Sequence, residues 1–198
     1  MGKNVVVPYL LDRGIKTLDY VLISHFDSDH CNGLIAVLEN LKIGVVIFAK
    51  PTQDVEEYEN VMRVIKERNI KIQLVQKGDR IVLDKYTYLD ILYPDFKIAE
   101  KDLNNNAIVA KLNYGNFSML FTGDIEKPAE QHIVGNDALV VPLQSTILKT
   151  PHHRVKNLFN RGIFESSKTQ NSSYRSRSKQ HIRTSCSRGN RKARKFTE

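Results

Sequence analysis

The chain has little that could tie it together covalently or carry it across a membrane. Among its 198 residues there are 2 cysteines, Cys31 and Cys186, and no Cys-x-x-Cys spacing. That excludes a disulfide framework and a cysteine-rich zinc site. Cys31, next to His30, reads as a small buried residue at the start of a helix. No apolar run approaches the roughly 18 residues that a spanning helix needs. The opening MGKNVVVPYLLDRG has one lysine and a short apolar stretch, without a small-residue cleavage pattern, and does not read as a signal peptide. Apolar residues make up 41%, enough in a chain of this length for one domain with its own core.

Charge is unevenly spread. The net charge is +8, but 13 Lys/Arg and only 2 Asp/Glu fall after His153. Residues 1–153 hold 17 basic and 20 acidic side chains, a net charge of −3. The two parts therefore have to be read separately. From Arg154 onward serine, arginine and lysine dominate, and no apolar period survives. That segment reads as a disordered basic tail able to hold nucleic acid electrostatically, or as a stretch of no selected function.

Residues 1–153 alternate in period. Val5–Leu11, stopped by Gly14, reads as a short amphipathic helix. Leu18–Ser24 and Ile43–Phe48 read as buried strands, and Ile70–Val75 as a half-buried one. Between them, 32–41 and 54–69 have helical spacing, the second acidic at its start and basic at its end, as the helix dipole favours. This is the strand–helix order of a layered α/β fold. Short strands follow at 79–83, 87–93, 107–112 and 118–121, an antiparallel meander. A short helix near 128–133 and a strand at 145–150 complete the pattern.

The chemistry is concentrated at strand ends. His25-Phe26-Asp27-Ser28-Asp29-His30 follows the first buried strand directly. Two imidazoles and two carboxylates in six residues are N and O donors of the kind a dinuclear metal centre gathers. The plainer alternative is a charged turn with Asp29 capping the next helix, which leaves the other three side chains unexplained. Gly123-Asp124 ends another strand, and Pro151-His152-His153 a third. Alone, Asp124 reads equally well as a turn residue, and His152-His153 as a surface pair.

Taken together, His25-x-Asp27-x-Asp29-His30, Phe121-Thr122-Gly123-Asp124 and Lys149-x-Pro151-His152-His153 resemble the metallo-β-lactamase superfamily. In particular they resemble its ComEC-type branch, the C-terminal domain of DNA-internalisation competence proteins. Val7-Pro8-Tyr9-Leu10 with Arg13-Gly14, and Asn104-Asn105-Asn106 before Tyr114-Gly115, fit the same branch. The resemblance covers about residues 3 to 153. It implies an αββα sandwich, here partial, of the α/β (α+β) class over 1–153, followed by the basic tail 154–198. It also implies two divalent metal ions, zinc or manganese. His25 and Asp27 would hold one ion, and Asp29 and His30 the second. Asp29 would also orient the attacking water. Asp124 would bridge the ions, and His152 or His153 would complete the shell. Asp27 stands where the usual motif has histidine, and this harder donor favours manganese or magnesium over zinc. Asn106 is a weaker candidate for a neutral oxygen.

The activity implied is a metal-dependent phosphodiesterase acting on single-stranded DNA, in a bacterial parent protein attached to the cell membrane. A generic esterase or lactonase of the same fold is one alternative. An inactive fragment that binds nucleic acid through its tail is another. Two departures from the family pattern add expectations. The strands carrying Asp-Val-Gly-x-Gly-Asp that family domains place before the first helix are absent from this sequence. After His153, the usual Gly-Ser and Gly-His-Pro elements give way to the tail. Codons read one nucleotide downstream permit a family-like helix, strand and Gly-His-Pro, so a frameshift near His153 is expected. A sandwich lacking both flanks is expected to fold poorly on its own.

Overall fold

The computed structural model describes residues 1–51, 54–95, 103–137 and 143–149. Two sheets form among these residues. β1 (Thr17–Leu22), β2 (Lys42–Phe48) and β3 (Lys71–Leu74) are parallel and lie side by side in that order. Parallel neighbours need crossovers, and helices supply them. The short α2 (Ser28–Cys31) and α3 (Leu34–Asn40) join β1 to β2, and α4 (Glu56–Glu67) joins β2 to β3. α4 has Glu56, Glu57 and Glu59 in its first turn and Lys66 in its last, and buries Val61, Val64 and Ile65. α1 (Val7–Asp12) follows a wide helical turn over Gly2–Val6 and packs Val7 on Val37 and Leu41.

The second sheet is the expected meander. β4 (Arg80–Val82), β5 (Thr87–Tyr93), β6 (Val109–Tyr114) and β7 (Phe117–Phe121) pair antiparallel in turn. β8 (Ile147–Lys149) then returns parallel to β7, after α5 (Lys127–Asp137).

The apolar clusters define four layers. Phe26, Leu38, Val46, Phe48, Val61 and Ile65 fill the space between the α2–α4 helices and the first sheet. Ile47, Val75, Ile81, Ile91 and Ile108 fill the space between the sheets. Leu92, Val109, Leu120, Ile125 and Ile133 lie between the second sheet and α5. This is a mixed α/β sandwich of the αββα kind. It places the carboxyl ends of β1 and β7 at one rim. There the backbone N–H of Ile108 donates to the Ser24 carbonyl at 2.8 Å and joins the two sheets.

Two strands are less buried than their apolar sequence suggests. β1 spans Thr17–Leu22 with no fully buried side chain, and burial begins only at Ile23. β3 has all four residues exposed, including Leu74 at 55%. Both are edge strands of the three-stranded sheet, so each has one neighbour where a central strand has two. Only β2 between them reads as buried, and only over its last three residues. The tail from residue 154, and His152 and His153 before it, lie outside the described residues.

Candidate metal centre

His25 follows β1 in a segment pinned from two sides. The Ser24 carbonyl is held by Ile108, and Phe26 packs edge-on against Phe48 and Tyr58, with ring centroids 5.3 and 5.1 Å away. The chain then turns into α2, and one helical turn brings His30 back over His25. Their ring centroids are 4.2 Å apart. The turn is set by Asp27, whose Oδ1 accepts from the Ser28 N–H at 2.7 Å. Asp27, not Asp29, therefore caps the helix.

Asp124 arrives from the other sheet. After β7 the chain passes through Gly123, whose φ of +54° is a left-handed conformation. A Cβ there would stand 2.7 Å from Ala107 Cβ and 3.1 Å from the Ile108 carbonyl oxygen. Glycine meets both the torsion and the space. The turn delivers Asp124, 4% exposed, with Oδ2 3.2 Å from His30 Nε2. Asn105, also buried, steadies the next residues by accepting the Glu126 N–H at 3.1 Å.

His25, His30 and Asp124 each offer one ligand atom, and these atoms lie within 4.8 Å of one another. Asp29 stands at the edge of the group. Its carboxylate is 3.7 Å from His30 Nε2, and the side chain is 55% exposed. Asp27 is engaged in its cap.

The electrostatics suit a cation. Burial, and then the neighbouring His30, push the His25 imidazole down to about 4, although Asp124, Asp27 and Asp29 pull the other way. His25 is therefore neutral at neutral pH, with a lone pair available. Its Nδ1 is 3.1 Å from Ser24 Oγ, and its Nε2 is buried with no hydrogen-bond partner among the described residues. Burial alone would raise the Asp124 carboxyl. Lys149 and the two imidazoles outweigh it and hold the group below the usual carboxylate range. An orphaned imidazole nitrogen, a second imidazole and an ionised carboxylate form a borderline donor set of the kind that divalent zinc, manganese or iron takes. These three residues fit a divalent ion of the kind that the sequence suggests.

The family model described as the metallo-beta-lactamase superfamily matches residues 2–159. The chain belongs to that superfamily. It is 29% identical over 157 residues to ComE operon protein 3 of Bacillus subtilis (strain 168), covering 79% of this chain and 20% of that protein. It is 25% identical over 163 residues to Competence protein ComA of Neisseria gonorrhoeae, covering 80% and 20%. The chain thus spans about a fifth of the length of these relatives. Among solved structures it resembles CmlA, a diiron β-hydroxylase from Streptomyces venezuelae, at 16% identity. The TM-score is 0.48, and the match covers 67% of this chain and 25% of that one. No helix among the described residues of this metallo-β-lactamase-superfamily chain is long and apolar enough to cross a membrane.

Several contributors to the site escape a reading of the sequence. Lys149 Nζ donates to Asp124 Oδ1 at 3.2 Å. Thr122, fully buried, donates from Oγ1 to the Lys149 carbonyl at 2.8 Å. Ser24 and Asn105 hold the two motif turns. Lys149 carried a signal, since it stands in the Lys-x-Pro-His-His run at a strand end. Its reach across to β7 depends on the parallel pairing of β8, which no local pattern announces.

Proposed function

We propose that the chain carries a metal-dependent hydrolase site that cleaves phosphodiesters of single-stranded DNA, as part of a longer, membrane-anchored bacterial protein serving DNA uptake. The observation that carries this is the convergence of His25, His30 and Asp124, with His25 Nε2 buried and without a hydrogen-bond partner among the described residues. Here His25 and Asp27 would hold one divalent ion, zinc or manganese, and Asp29 and His30 the second; Asp124 would be shared by the two, and His152 or His153 would complete the shell. To take part, Asp27 would have to give up its cap on the Ser28 N–H.

Two such ions supply Lewis-acid stabilisation to the entering and leaving oxygens of a phosphodiester. The chain's residues do the rest. Asp29, solvent-exposed beside His30, would orient the attacking water and accept its proton. His25 stays neutral, so its nitrogen competes with no proton near pH 7. Asp124 is ionised although buried, and so presents a full negative charge where it is least screened. Relatedness to Competence protein ComA supports DNA as the polymer.

The test is cleavage of single-stranded DNA by the purified chain with added Mn²⁺ or Zn²⁺. Expected is chelator-sensitive cleavage that falls at least ~100-fold in Asp29→Ala and in Asp124→Ala, as removal of a base or a ligand does. DNA left intact while a lactone or ester is turned over would sink the DNA reading. The net charge of −3 over residues 1–153 favours that second possibility, since a mildly acidic body does not advertise a groove for a polyanion.

A further inference from the structure

Lys149 has no part in the chemistry above, yet it is bonded into the middle of the site. It ends β8. Its Nζ donates to Asp124 Oδ1 at 3.2 Å and to the Gly123 carbonyl at 2.8 Å. Its own carbonyl accepts from Thr122 Oγ1 at 2.8 Å. One residue of β8 thus holds three consecutive residues of the turn that delivers Asp124. The other oxygen of that carboxylate, Oδ2, faces His30 at 3.2 Å.

We propose that Lys149 is a positioning residue for the metal centre. By holding Oδ1 of Asp124 and the Gly123 carbonyl, it turns Oδ2 toward the His25–His30 pair and makes Asp124 a one-oxygen ligand. The inference rests on the metal-centre reading given under Proposed function.

Two effects of a lysine at this place oppose each other. Its charge repels an incoming cation, so as a mere neighbouring charge it would weaken metal binding. Its hydrogen bonds fix a ligand that would otherwise rotate, so as an orienting partner it would strengthen binding. The geometry favours the second. The Lys149 side chain is 43% exposed, and solvent screens its repulsion. Asp124 is 5% exposed at its side chain, and there the fixed hydrogen bond acts with little competition from water. The bond to the Gly123 carbonyl also holds the left-handed turn itself, which a distant charge would not do.

The experiment is titration of the full chain with Mn²⁺ and with Zn²⁺ by calorimetry, with the melting temperature of the metal-free protein measured alongside. Lys149→Met is expected to bind at least ~10-fold more weakly than wild type, the usual loss when an outer partner of a metal ligand is removed. The metal-free melting temperature should fall by no more than several degrees, since buried Asp124 loses a partner that is itself half in water, so the affinity is read on a folded chain. Lys149→Arg keeps the charge and the donors and should recover part of the affinity. If Lys149→Met does not fold, Lys149→Leu, which also lacks a donor, replaces it, with the same loss expected. Equal or tighter binding by Lys149→Met or Lys149→Leu would overturn the proposal, as would an Lys149→Arg no better than Lys149→Met. A wild-type chain that takes up neither ion would overturn both the proposal and the metal-centre reading. Wild-type uptake with unaffected variants would overturn the proposal alone.

Discussion

His25 shows how one side chain couples the site to the stability of the fold. It is 5% exposed, and burial with a neighbouring imidazole pushes it down to about 4 from its ordinary 6.5. The native state therefore prefers the neutral ring, while the unfolded chain takes up a proton at higher pH. Between pH 6.5 and 4 the unfolded state binds more protons, so native stability falls as pH falls through that window. Above 6.5 the contribution is constant. A shift of this size corresponds to about 3 kcal/mol lost by pH 4. Asp124 adds to the loss only at lower pH, since its carboxyl already sits below the usual range. Urea midpoints of the metal-stripped chain should drop from pH 7 to 4.5, and His25→Asn should flatten that drop. A wild-type midpoint that stays level across the window would speak against a buried neutral His25. At this scale the sequence was informative about chemistry and silent about pose. Four ligand-type side chains in six residues mark a candidate site whatever their rotamers, and two of them, His25 and His30, converge with Asp124. That Asp27 spends its carboxylate on the Ser28 N–H, or that Lys149 reaches Asp124, depends on torsions and partners fixed only in the folded chain.

Elements differ in how far their own sequence determines them. α4 was legible end to end because its apolar stripe, acidic start and basic end all agree, and the helix spans Glu56–Glu67 within the expected limits. β5 likewise spans Thr87–Tyr93 as its pattern suggests. β1 and β3 were placed correctly along the chain but misjudged in burial. Leu18–Ser24 reads as buried and Ile70–Val75 as half-buried, and sheet order, which puts both at an edge, is not a local property. The turn at Gly123 belongs to this scale. Its φ of +54° and the 2.7 Å approach to Ala107 Cβ leave no room for a side chain. Gly123→Ala should destabilise the chain by roughly 1–3 kcal/mol through strain and should also displace Asp124. A melt and a Mn²⁺ titration of the variant should therefore both shift. A lowered melting temperature with unchanged metal affinity would show that the turn supports the fold without aiming the carboxylate.

For the whole molecule, the arrangement of the ligands matters more than their number. His25 leaves the end of β1 in the three-stranded sheet, and Asp124 leaves the end of β7 in the five-stranded one. The cores beneath them are separate clusters, joined through the layer of Ile47, Val75, Ile81, Ile91 and Ile108 between the sheets. At the rim the sheets meet through the Ile108–Ser24 hydrogen bond and the contact of His30 with Asp124. A cation held by residues of both sheets would act as a clamp between two halves that otherwise rest on apolar packing and a few polar contacts. Binding to the native state alone stabilises by mass action, about 2.7 kcal/mol at a hundred times the dissociation constant. For a chain of this size each kcal/mol raises the melting temperature by roughly 2–4 °C. Saturating Mn²⁺ or Zn²⁺ should therefore raise it by roughly 5–10 °C, and chelation should reverse the gain. His25→Ala and Asp124→Ala, which remove the clamp from opposite sheets, should each abolish the rise. If metal stabilised the His25→Ala chain as much as the wild type, the bound ion would sit elsewhere and the two sheets would not share it.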